Sequence, residues 1–162
     1  MIDIFSVLGH RLAAFGKTPD TVEVVRRAAV ENPWFLPQEI IRAVKAIRCE
    51  MLERQRLEAW AGAYPPVRTP KRVLVVMAGN IPLVGFFDLL CVLASGHACR
   101  VKPSSKDTVL IGYVVDLLRT IDPAIPLRMA EQGERLDAVI ATGSDNANRY
   151  FRMLFGGIPS LL

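Results

Sequence analysis

Val73-Leu74-Val75-Val76-Met77-Ala78-Gly79-Asn80-Ile81-Pro82 is apolar at nearly every position and then turns small and polar. An alternating pattern would mark a strand with one wet face. A continuous run marks a strand buried on both faces, as in a parallel sheet. The same sentence of chemistry recurs twice: Cys99-Arg100-Val101-Lys102-Pro103-Ser104-Ser105-Lys106-Asp107, and Asp137-Ala138-Val139-Ile140-Ala141-Thr142-Gly143-Ser144-Asp145-Asn146. In open α/β sheets ligands sit beyond the carboxyl ends of the strands, so three such clusters converge on one crevice.

Between these runs the period changes to that of helices. Strands are expected over about 72–78, 98–102 and 138–141, with a weaker one at 125–129. Helices are expected over about 83–95 and 107–121 and from about 145. Alternation of this kind gives an α/β fold: a Rossmann-like parallel sheet with right-handed crossovers and helices on both faces. Upstream, the signals are helical. Thr18-Pro19-Asp20 starts a helix to about 31, because threonine caps, proline suits the first turn and acids favour the positive dipole end. Pro37 starts another, with Ile40, Val44, Ile47 and Met51 on one stripe. Asn32-Pro33-Trp34-Phe35-Leu36 is an apolar junction whose aromatics are expected to plug the core. Three prolines in Pro65-Pro66-Val67-Arg68-Thr69-Pro70 read as an extended connector. The expected organisation is a helical N-terminal segment over 1–64, a linker over 65–70 and a nucleotide-binding α/β domain over 71–162.

Composition narrows the function. Of 162 residues, 51% are hydrophobic, enough for a sizeable core. No apolar run reaches the roughly 18 residues of a membrane span, and the N-terminus lacks a signal-peptide pattern. A cytoplasmic protein without stable membrane insertion is expected. The net charge of +4 comes from interleaved acids and bases, with no basic face for nucleic acid. Cys49, Cys91 and Cys99 match no metal spacing, so they read as reduced, structural thiols and no metal is expected.

The clusters themselves carry chemistry. Neither G-x-G-x-x-G nor a P-loop follows the first strand. Asn80 is a turn former, and its amide is also a neutral donor suited to a developing oxyanion. Lys102 with Ser104 and Ser105 reads either as a solvated strand end or as a hold on ribose and phosphate oxygens, with Lys106 one turn away. Gly143 and Ser144 read either as a plain helix cap or as an anion site at a helix N-terminus.

Taken together, Met77-Ala78-Gly79-Asn80-Ile81-Pro82-Leu83-Val84-Gly85-Phe86, Ser95-Gly96-His97, Lys102-Pro103-Ser104-Ser105-Lys106-Asp107 and Ala138-Val139-Ile140-Ala141-Thr142-Gly143-Ser144-Asp145-Asn146 with Arg149-Tyr150-Phe151 resemble the acyl-CoA reductase family of the LuxC type. Asn32-Pro33-Trp34-Phe35 adds to the likeness. That family is similar to the aldehyde dehydrogenase superfamily. The resemblance implies an aldehyde dehydrogenase-like cofactor domain and an oxidoreductase that reduces a fatty acyl-CoA thioester to the aldehyde, with release of CoA. It implies that Asn80 stabilises the thioester-derived oxyanion, that Lys102 contacts the adenosine ribose, and that Gly143 and Ser144 meet the pyrophosphate. Ser105 stands where many NAD-preferring relatives carry a glutamate. Without that carboxylate, and with Lys106 beside it, a 2′-phosphate is favoured, which implies NADPH.

The family's nucleophilic cysteine belongs to a second half. All three cysteines here precede the third cluster, and none matches it. The expectation is therefore the N-terminal cofactor-binding part of a longer enzyme, inactive alone, ending in Gly156-Gly157-Ile158-Pro159-Ser160-Leu161-Leu162. The alternative is a non-catalytic α/β interaction module. Exposed sheet edges and helix faces would favour a homo-oligomer.

Overall fold

Five parallel strands form one sheet in the order β3-β2-β1-β4-β5. The computed structural model describes residues 1–65, 67–143 and 145–162. β1 (Arg72–Val76) lies between β2 (Ala98–Lys102) and β4 (Ala138–Ala141), with Val76 level with Lys102 on one side and Ala141 on the other. β3 (Leu127–Met129) and β5 (Ser160–Leu161) are the edges. The two-residue β5 was not legible as a strand, because Ser160-Leu161 follows glycines and a proline and shows no run.

Strand side chains alternate between two unequal faces. Val73, Val75, Cys99, Val101 and Leu127 point into the main core, with α5 (Phe86–Ala94) and α6 (Thr108–Ile121). Leu74, Val76, Val139 and Ala141 face Phe151 and Phe155 of α7 (Asp145–Phe155). Helices thus cover both faces, as right-handed crossovers running outward in two directions from the centre require. The direction reverses between β1 and β4, which makes their carboxyl ends a topological switch point.

The helical segment completes the larger face. It comprises α1 (Ile2–Arg11), α2 (Pro19–Glu31), α3 (Pro37–Ala46) and α4 (Arg54–Gly62). Thr18 and Thr21 form a capping box at the start of α2, and Pro19 fills its first turn. Phe5 of α1 meets Phe86 of α5 edge-on, with centroids 6.5 Å apart, and Phe15 meets Tyr113 of α6 at 5.5 Å. Phe5, Leu8, Ile40 and Phe86 all belong to the same buried cluster as the sheet. The stripe expected over 37–51 is helical throughout but changes pitch: α3 ends at Ala46, and Ile47–Met51 is a π turn. In the junction that follows α2, Phe35 is 2% exposed and plugs the core as expected. Trp34 does not: its side chain stands in solvent, 76% exposed, because Phe35 takes the inward position.

The smaller face carries charge. Residues 130–137 cross from the β3 edge to the sheet centre, and Glu134 pins them. Its Oε1 accepts from Arg128 at 2.8 Å and from Arg100 Nε at 2.5 Å. Hydrogen bonding to Arg128, then Arg100, holds the Glu134 carboxyl down at about 2 against the opposing effect of burial. No helix among the described residues is long and apolar enough to cross a membrane.

Candidate functional site

The three sequence clusters emerge side by side at the carboxyl edge. Past β1, the Met77 N–H still donates to the Lys102 carbonyl at 3.0 Å, and the Thr142 N–H donates to the Val76 carbonyl at 3.1 Å. All three loops therefore start at one level. The β1 and β2 loops touch: a Cβ on Gly79 would lie 2.5 Å from Ser104 Oγ, so only glycine fits there. Ser104 Oγ in turn accepts the Lys106 N–H at 3.2 Å. The β4 loop is tied to α5 instead, through Thr142 Oγ1 donating to Asp88 Oδ2 at 3.1 Å.

Around this rim, Asn80, Lys102, Ser105, Lys106 and Gly143 are exposed and Ser104 is half-buried. Ser144 lies outside the described residues. The edge offers an amide, hydroxyls and two ammonium groups to an anionic ligand. Asn80, Lys102 and Ser105 make no side-chain hydrogen bond or ion pair among the described residues.

What holds this rim was not legible in the motifs. Residues 81–84 form a turn, and α5 starts at Phe86 instead of near 83. Leu83 is the reason. It is 4% exposed, sits in the left-handed region at φ +58°, and donates its N–H to Asp107 Oδ2 at 2.8 Å. For a residue with a Cβ this conformation costs about 1–2 kcal/mol, and surrounding structure has to maintain it. Asp107 supplies that restraint at a cost of its own. It is 1% exposed, and its Oδ1 is buried without a hydrogen bond. Burial pushes its carboxyl up to about 7. The Leu83 N–H opposes this, and nearby Glu31 reinforces it.

Two residues at the end of the second helix reach into the same place. Glu31 caps α6, accepting from Thr108 N at 2.8 Å, from the Thr108 hydroxyl and from Val109 N at 3.2 Å. A carboxylate there satisfies orphan N–H groups and complements the dipole. Asn32, 4% exposed, donates from Nδ2 to the Gly79 carbonyl at 3.2 Å and accepts the Trp34 N–H at Oδ1, 3.1 Å away. Nothing local in Glu31-Asn32 announces contacts 47 to 78 residues away.

A sizeable cavity lies elsewhere. A groove of about 920 Å³ opens at the amino ends of β1 and β4 and along β5, lined by Trp60, Tyr64, Val73, Cys91, Ile140 and Leu161 among others. Its lining is mainly apolar and holds none of the clustered polar groups. Volume and chemistry thus point to opposite ends of the sheet. We assign the candidate site to the carboxyl edge, where donors converge at the switch point. None of the thiols reaches that edge. Cys49 lies in the π turn, Cys91 lines the groove, and Cys99 is buried within β2. Burial raises the Cys91 thiol to about 11 and the Cys99 thiol to about 12, so neither is a ready thiolate at neutral pH. No protein-family model matches the chain, and no curated protein matches it significantly.

Proposed function

We propose that this chain is the cofactor-binding part of an NADPH-dependent acyl-CoA reductase. The observation that carries the reading is the junction of the β1, β2 and β4 loops at the switch point, with Asn80, Lys102 and Lys106 exposed on one rim. The donor set suits a nucleotide that carries several negative charges. Lys102, Ser104 and Ser105 hold the adenosine ribose, Lys106 takes a 2′-phosphate, and Gly143 with Ser144 meets the pyrophosphate. At the β2 end Asp107 is turned inward onto Leu83, and the Glu31 carboxylate is engaged by the first amides of α6. Asn80 offers its amide to the oxygen of the acyl group as negative charge develops there. Bound NADPH supplies the hydride.

Opening an acyl-CoA thioester in this way also takes a thiolate. In this reading the thiolate comes from outside these 162 residues and the chain alone binds cofactor without turnover, which the placement of Cys49, Cys91 and Cys99 away from the edge supports. The same observation favours the second reading, a non-catalytic α/β binding module. Titration followed by calorimetry tests the cofactor assignment. NADPH is expected to bind more tightly than NADH, and equal or absent binding would overturn it. Ser105→Glu should move the preference towards NADH, and an unchanged ratio would remove Ser105 as the discriminator.

A further inference from the structure

Trp34 is the most exposed aromatic side chain beside the rim, yet it is not loosely held. Asn32 fastens its backbone to the β1 loop through the Trp34 N–H and the Gly79 carbonyl. Lys106 Nζ stands 5.3 Å from the centroid of the indole ring. Lys106 is itself fixed at its backbone by Ser104 Oγ, and its Cβ lies 3.0 Å from where a Gly79 Cβ would be. Ring and ammonium are thus carried on two rigid loops, with the cation over the ring. With 76% of the residue exposed, the ring keeps much of its surface open to solvent.

This pair flanks the β2 side of the crevice. A dinucleotide bound at a switch point lays its adenosine ribose towards the carboxyl end of the second strand. We propose that Trp34 and Lys106 form an outer clamp for the adenosine end of the cofactor: the open surface of the indole stacks on the purine, and the Lys106 ammonium meets the adjoining ribose phosphate. The inference rests on the nucleotide reading above and adds to it the residue that holds the base. Stacking of a base on an aromatic ring depends on π-faces and not on hydrogen-bonding edges. A ring already held by a cation also loses little freedom when the base arrives.

The probe is adenosine 2′,5′-bisphosphate, which carries the base and the 2′-phosphate but no nicotinamide. The chain has two tryptophans. Trp60 lines the distant groove, so Trp60→Phe leaves Trp34 as the sole indole reporter. The expected result is saturable quenching of Trp34 emission, with the same dissociation constant as calorimetry gives. Trp34→Ala should weaken binding about tenfold, and Trp34→Phe, which keeps an aromatic face, no more than about threefold. Both variants should unfold at the temperature of the unchanged chain. Full affinity in Trp34→Ala would overturn the clamp and leave the nucleotide site standing. Equal losses in the Ala and Phe variants, accompanied by lower unfolding temperatures, would also overturn it by showing a structural role. Absence of calorimetric binding by the unchanged chain would overturn both the clamp and the nucleotide reading.

Discussion

The two ends of the sheet solve opposite problems. At the amino end side chains cap the backbone: Asp137 Oδ2 accepts the Arg72 N–H at 2.8 Å, and His97 Nδ1 accepts the Lys71 N–H at 3.1 Å. What remains there is volume, in a groove with an apolar lining. At the carboxyl end Leu83 is held left-handed, Asp107 is buried with one unpartnered oxygen, and Asn32 is buried to fix the Gly79 carbonyl. Local conflicts of this kind concentrate where a chain preserves a geometry that stability alone would not choose.

The sharpest way to break this contrast is through Asp107. The folded chain keeps its proton up to about pH 7, whereas the unfolded carboxyl releases it near its usual 3.8. Folding therefore takes up a proton between these values, and stability falls as pH rises through that window. The expected loss is about 4 kcal/mol, since each pH unit of displaced titration is worth about 1.4 kcal/mol. Glu134 acts in a separate window and with the opposite sign. Its stabilisation is present above about 4.5 and is lost as pH falls towards 2. Denaturant unfolding across pH 3 to 8 should show both arms. Asp107→Asn should abolish the neutral arm and keep the acid one. A wild-type curve that is flat between pH 4 and 7 would contradict the account of Asp107.

Next in size is Asn32→Ala. It leaves the Gly79 carbonyl and the Trp34 N–H without their side-chain partner, which should cost about 1–3 kcal/mol in chemical unfolding. Nucleotide affinity should drop with it, because the β1 loop loses a tether. Loss of stability without loss of affinity would separate Asn32 from the site. The smallest effect is expected at the opposite end. Leu161→Ser, at an exposed groove position, should stay within about 0.5 kcal/mol of the parent. It should also leave the NADPH dissociation constant unchanged. A large affinity change there would move the site to the groove.

The parts legible in the sequence were those governed by local pattern. Continuous apolar runs gave β2 and β4 their full bounds, and Thr18-Pro19 gave the start of α2. The position of Asn80, Lys102 and Ser105 at the carboxyl edge is legible because each stands at or just past the end of a strand. The turn at residues 81–84 is not legible, since nothing in Leu83 itself asks for a positive φ; the demand comes from Asp107, 24 residues later. Apolar composition places Trp34 in the core along with Phe35, because it cannot tell which of two adjacent aromatics turns inward. Asp107 looked like an ordinary helix start, and only its burial shows otherwise. Each miss depends on a contact between distant residues, which periodicity does not encode.

The cap that Glu31 places on α6 ties two parts of the chain together in time as well as in space. Its bonds to Thr108 and Val109 span 77 and 78 residues, so they form only after a long loop has closed. The first amides of α6 then become native-state clocks. They exchange with solvent deuterium when the helical layer lifts away, even while the sheet stays intact. Slow exchange at Thr108 and Val109, matched in rate to amides inside α2, would make helical docking and assembly of the carboxyl-edge rim a single cooperative event.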